Sequence, residues 1–83
     1  MSITPDYYRD DAQKSALLRR FHTVATMMYE CQRSRSWAYQ MIAHYPSEKR
    51  LLVNVKTGKK ELAIPRAYVE RYLMRVRRGN PYW

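Results

Sequence analysis

An α+β domain, mainly helical, is what the sequence predicts, and three observations predict it. Apolar residues recur at helical spacing in three separate stretches. Two β-prone segments flank a short basic turn between the second and third of these stretches. Only two glycines and four prolines interrupt the 83 residues, which leaves little room for long linkers. A chain this short buries only about 60–65% of its unfolded surface, enough for one small core. Its 46% apolar content suits a globular chain and is too high for a disordered one. Three segments are expected: an N-terminal arm or short helix over 1–16, a folded body over 17–78 and a tail over 79–83.

Residues 6–16 are polar, helix-tolerant and weakly amphipathic, and read as a short helix or an ordered arm. Leu17-Leu18-Arg19-Arg20-Phe21-His22 fits either a continuing helix or a short strand. Thr23 then has the character of an N-cap, its hydroxyl able to accept an orphan backbone N–H. Val24, Met27, Met28 and Cys31 follow at i, i+3, i+4 and i+7, one apolar stripe on a helix. Ser34 is a second N-cap, and Ala38, Met41, Ile42 and Tyr45 repeat the spacing until Pro46 ends the helix. Two short helices separated by so few residues have the layout of a helix-turn-helix.

Residues 51–55 and 61–64 read as the strands of a hairpin around Lys56-Thr57-Gly58-Lys59-Lys60. Gly58 supplies a left-handed turn residue. Thr57 disfavours positive φ, so a loop of three to five residues is expected rather than a two-residue turn. Pro65 stands where a helix can start. Val69, Tyr72, Leu73 and Val76 form the third stripe, with Arg75, Arg77 and Arg78 at the end where the macrodipole favours cations. Gly79-Asn80-Pro81 stops it. Helix, tight turn, helix, hairpin with a basic tip, helix: that order is a small winged helix-turn-helix.

Sixteen Lys and Arg against seven Asp and Glu give a formal charge of +9, and a pI near 10 calls for an anionic partner. Residues 1–16 carry a net −1. Residues 17–83 hold 14 basic and four acidic side chains, a net of +10, so the folded body is the cationic part. Nucleic acid is the commonest such partner, and ribosomal, RNA-binding and membrane-binding chains share the signature, so charge alone names a class of partner. One cysteine and two scattered histidines leave too few ligands for a structural zinc site or a disulfide framework. No cofactor or metal is called for. No apolar run reaches the length of a membrane span, and Met1-Ser2-Ile3-Thr4-Pro5-Asp6 lacks the regions of a signal peptide, so a cytoplasmic protein is expected. Glu30, Glu48, Glu61 and Glu70 are widely spaced, and neither a phosphate loop nor a catalytic triad is present; the chain is not expected to be an enzyme.

From Phe21 to Leu73 the chain resembles the excisionase family, small winged-helix relatives of the MerR-type DNA-binding domain. Three pieces carry the resemblance. They are Thr23-Val24-Ala25-Thr26-Met27-Met28, Ser34-Arg35-Ser36-Trp37-Ala38-Tyr39-Gln40-Met41-Ile42, and Gly58 followed by Ile64-Pro65-Arg66-Ala67-Tyr68-Val69-Glu70-Arg71-Tyr72-Leu73. The Ile-Pro-Arg step out of the wing is the most distinctive. The family usually has acidic residues just after the Thr cap, where this chain has Ala25 and Thr26, and a Gly between the helices, where it has Gln32-Arg33. The resemblance implies an architectural factor that bends DNA and assists a tyrosine or serine integrase in excising a mobile element. Many members also regulate transcription.

The residues supply the candidate contacts. With Ala38, Met41 and Ile42 turned inward, Arg33, Ser34, Arg35, Ser36, Tyr39 and Gln40 form the exposed side and leading turn of the recognition helix. Arg can bond guanine and Gln adenine bidentately in the major groove. The wing offers Lys56, Thr57, Lys59 and Lys60 for a minor-groove or phosphate contact. Thr23, Arg66, Arg75, Arg77 and Arg78 are backbone candidates, the last three serving equally as helix caps. Trp37 is expected to staple its helix to the core or the arm, Cys31 to be buried and inert, and His22 and His44 to be structural or exposed. Asn80-Pro81-Tyr82-Trp83 is expected to pack back on the domain. So small a module gains affinity by cooperative self-association on repeated sites. Regulation of phage or mobile-element promoters is the nearest alternative. A phage-type module that inhibits a host protein would instead show weak, sequence-blind DNA binding. RNA binding is less favoured, because aromatic-rich strands are lacking.

Overall fold

The computed structural model describes residues 4–79. In chain order these form β1 (Thr4–Tyr8), α1 (Asp11–Leu18), β2 (Phe21–Thr23), α2 (Val24–Cys31), α3 (Arg35–Ala43), a 3-10 turn (Pro46–Glu48), β3 (Arg50–Asn54), β4 (Lys60–Pro65) and α4 (Arg66–Arg77). It is an α+β domain with one mixed sheet of order β1-β3-β4-β2. β3 and β4 pair antiparallel, β2 pairs antiparallel with β4, and β1 lies parallel to β3. Among the described residues no helix is long and apolar enough to cross a membrane.

The caps form as their residue types dictate. The Thr23 hydroxyl accepts the Thr26 N–H, and the Thr26 hydroxyl accepts the Thr23 N–H in return. Ser34 accepts the Trp37 N–H at 3.1 Å. Between α2 and α3 the chain turns at Gln32, which sits in the left-handed region at φ 55°. A residue with a Cβ is less comfortable there than glycine. The Gln32 side-chain amide donates to the Tyr29 carbonyl at 3.1 Å, a local bond that ties the turn to α2.

Alternation along the strands gives the sheet two working faces. Leu62 and Ile64 face α2, α3 and α4, whose core contains Val24, Met27, Trp37, Ala38, Met41, Ile42, Val69 and Tyr72. Leu52 and Ala63 face the other way, joining Tyr8 and Phe21 beneath Leu17 and Leu18 of α1. The domain therefore has three layers, with α1 alone on one side of the sheet. Trp37 belongs to the larger core, its ring 4.9 Å from that of Tyr72. Apolar burial along α4 ends at Leu73. Val76, expected on the apolar stripe, is 40% exposed, because the helix runs on after the core beneath it stops.

The N-terminal arm is where the fold departs most from the sequence reading. Residues 4–8, expected as part of an arm or helix, are an edge strand, and α1 starts only at Asp11 and continues past residue 16 to Leu18. Pro5 is tolerated because an edge strand can leave a residue without a ladder donor. The Leu17–His22 stretch contains both of its readings, a helix end and then a strand. Arg50 Nε and Nη2 donate to the two Asp6 carboxylate oxygens at 2.8 and 2.9 Å, a bidentate clamp from β3 to β1. Val55 N–H donates to the Tyr8 carbonyl at 3.0 Å. Asp6→Asn is expected to cost about 1–3 kcal/mol, read by urea unfolding. It should also speed amide exchange at Val55, whose partner carbonyl lies on β1.

His22 is buried on β2, its Nδ1 3.0 Å from the Thr26 hydroxyl. Burial pushes its pKa below 6.5 and the Arg66 guanidinium adds to this, while Glu30 and Glu70 oppose without overcoming them. The unfolded chain therefore takes up this proton first as pH falls. The stability contributed by the neutral ring is complete above pH 6.5 and is lost as the pH drops through the folded-state value. Denaturant midpoints should fall between about pH 7.5 and about pH 5.5. In His22→Asn, which retains a polar group near Thr26, that fall should be shallower.

Candidate nucleic-acid interface

A groove of about 450 Å³ runs between α3 and the β3–β4 hairpin, with the start of α2 at its end. Thr23 lines it from the end of β2, Val24 and Ala25 from α2, Arg35 and Tyr39 from α3, and Leu51, Lys59, Lys60, Glu61 and Leu62 from the hairpin. Each lining residue arrives there for a local reason. The Ser34 cap sets the start of α3, and burial of Trp37, Ala38, Met41 and Ile42 then turns Arg35, Ser36, Tyr39 and Gln40 to solvent. On the hairpin, Leu51 and Leu62 are register partners on one face, and Val53 and Lys60 are partners on the same face. α2 presents its N-terminal end, the positive end of its macrodipole.

The hairpin tip is knit together by its own polar groups. Asn54 Oδ1 accepts the backbone N–H groups of Lys56 and Thr57 at 2.9 and 3.2 Å. The Asn54 carbonyl accepts from Gly58 at 2.7 Å, and Thr57 Oγ1 accepts the Lys59 N–H at 3.2 Å. Gly58 takes φ 76°, the left-handed conformation its position requires. The loop spans residues 55–59, five residues, within the expected range. Lys56 and Lys59 in the loop and Lys60 at the start of β4 are exposed. The Lys59 ammonium is 3.5 Å from Glu61 yet remains 68% exposed, so that pair is a weak competitor for it.

Of the candidate contact residues, the fold brings Thr23, Arg35, Tyr39, Lys59 and Lys60 to one groove. Ser36 and Gln40 are exposed on the same helix, and Lys56 and Thr57 at the tip, outside the lining. Arg33 lies 5.4 Å over the Trp37 ring, and Ser34 is engaged as the cap. No residue of α4 lines the groove. Arg66, expected as a backbone contact, lies outside the groove lining and is half-buried. Its Nη1 donates to the Leu18 carbonyl at 2.9 Å and its Nε is 3.6 Å from Glu70, so it fastens α4 to the end of α1. Arg75, Arg77 and Arg78 stand at the C-terminal end of α4, as the macrodipole favours. The tail Asn80-Pro81-Tyr82-Trp83 lies outside the described residues.

The sequence reading passed over Val24, Ala25, Leu51, Glu61 and Leu62 as interface residues. Apolar residues at strand spacing carry only a core signal, and nothing local marks which of them line a groove. Cys31 is half-buried, and its thiol is pushed up to about 11, first by burial and then by Glu30, with Arg33 opposing. It is protonated and unreactive at neutral pH. The described residues contain no cluster of His, Cys, Asp or Glu that could hold a metal ion.

The charge is unevenly placed. Asp6, Asp10 and Asp11 belong to β1 and the start of α1, and Glu61 is 3.4 Å from Lys14 of α1. Among the described residues Glu61 is the one carboxylate bordering the groove, beside Arg35, Lys59 and Lys60, and its register turns its side chain to the α1 face with Leu52. No family model, no curated protein and no solved structure matches the chain.

Proposed function

We propose that the chain is a winged helix-turn-helix that binds double-stranded DNA and does no chemistry on it. α2 and α3 are the helix-turn-helix, and the β3–β4 hairpin is the wing. α3 enters the major groove with Arg35, Ser36, Tyr39 and Gln40, and the wing tip reaches the adjacent minor groove or backbone. One observation carries this reading: a single cationic groove separates the exposed face of α3 from the basic hairpin. A protein that reaches into two neighbouring grooves of a duplex must straddle the sugar–phosphate strand between them. The space between α3 and the wing is where that strand would run. Lys59, Lys60 and the N-terminus of α2 supply the positive potential that a phosphate chain needs, while Arg35 reaches past it to the bases.

The resemblance to excisionases assigns the DNA-bound domain its task. Copies bound side by side would bend an attachment site and assist a tyrosine or serine integrase. Repression or activation of mobile-element promoters would use the same bound state.

The experiment is a gel-shift titration on duplexes flanking the coding sequence and any nearby attachment site, with scrambled competitor at two salt concentrations. Discrete, stepwise shifts that survive competitor are expected, weakened on every sequence by the Lys59→Ala/Lys60→Ala double change. A smear abolished by modest salt would overturn the reading in favour of a protein-binding module.

A further inference from the structure

We infer that β1 widens the wing and that Tyr7 is a further DNA contact, its ring lying against the sugar–phosphate backbone beside the hairpin. This rests on the DNA-binding reading above and extends it to an element outside the helix-turn-helix and its hairpin. The sheet register carries the placement. Tyr7 pairs with Val53, and Val53 pairs with Lys60, so the three stand in one row across β1, β3 and β4. Partners in a ladder project to the same face, and two residues along, Pro5, Leu51 and Leu62 form the next row on that face. Lys60, Leu51 and Leu62 line the groove. Tyr7 is thus on the groove side of the sheet, one strand beyond the hairpin.

Its exposure contrasts with that of its neighbour. Tyr8, pointing to the α1 side, is 4% exposed, whereas Tyr7 is 63% exposed. β1 is nevertheless firmly held, by the Asp6–Arg50 clamp and by the Val55–Tyr8 bond. A fixed aromatic in one row with Lys60 offers a flat apolar face to deoxyribose. The acidic side chains of the arm do not spoil the contact. Asp6 is taken up by Arg50, and its row projects to the opposite face with Leu52 and Glu61.

The test is fluorescence anisotropy with a labelled random-sequence duplex, titrated over a range of salt, using the full chain. Tyr7→Ala should weaken binding about fivefold, as expected for losing roughly half a ring of buried contact. Because the ring is uncharged, its loss should leave the salt slope unchanged, whereas Lys60→Ala should lower that slope by about one. Tyr7→Phe should bind close to wild type, and the Tm of both Tyr7 variants should match wild type. If Tyr7→Ala binds as wild type while Lys60→Ala is weakened, the inference is overturned and the wing reading stands. A lowered Tm in Tyr7→Ala that accounts for its weaker binding would also overturn it. If the wild-type chain does not bind the duplex, the DNA reading falls and this inference with it.

Discussion

Trp37→Ala should cost the domain about 3–5 kcal/mol, the range for removing a buried large aromatic. Trp37 is 7% exposed on the inner side of α3, within a core that joins all three helices on that side to β4. Its ring meets Tyr72 of α4 at 4.9 Å on one side, and the Arg33 guanidinium lies 5.4 Å over it on another. Small domains hold about 0.05–0.15 kcal/mol per residue, so a loss of this size removes much of the total. Urea unfolding should show a midpoint displaced by most of the wild-type value, or no folded baseline. Trp37→Phe keeps a ring against Tyr72 and should lose much less. A small effect for Trp37→Ala would mean that α3 is not seated by this residue.

Arg35→Ala should have the largest effect on binding with the least effect on folding. Arg35 is exposed, no described intramolecular ion pair engages it, and it lines the groove one residue beyond the Ser34 cap. A good bidentate Arg–guanine contact is worth about 1–3 kcal/mol, so duplex affinity should fall by roughly 5- to 150-fold. The fall should be steepest on the preferred sequence and slight on scrambled DNA. Arg35→Lys keeps the charge but loses the planar fork, so it should keep non-specific affinity and lose discrimination. Equal loss on all sequences would instead make Arg35 a phosphate contact.

The local chemistry of the body was legible in the sequence. Thr23 and Ser34 are caps because their hydroxyls sit just before apolar stripes at helical spacing, and both caps form. The hairpin followed from two apolar runs around Gly58, and the basic residues at its tip followed from composition alone. What was not legible depends on contacts far apart in the chain. β1 contains Pro5 and Asp6, poor strand formers, and is held by Arg50, 44 residues away. Arg66 reads as a free cation until the fold places the Leu18 carbonyl, 48 residues earlier, beside it. Periodicity says which residues of α4 share a face but not where the core beneath them ends, so Val76 was expected inside and is exposed. For the groove, the charged walls were readable and the apolar floor was not, because Leu51 and Leu62 look like any other half-buried strand residues.

The central claim is that the groove between α3 and the hairpin faces DNA, and amide chemical-shift mapping tests it most directly. Isotope-labelled protein would be titrated with a short duplex at moderate salt. The account predicts the largest shifts at Thr23–Ala25, Arg35–Gln40 and Lys56–Glu61, with α1 and the C-terminal half of α4 little changed. Shifts concentrated on α1 or α4, or none at all at saturating duplex, would contradict it.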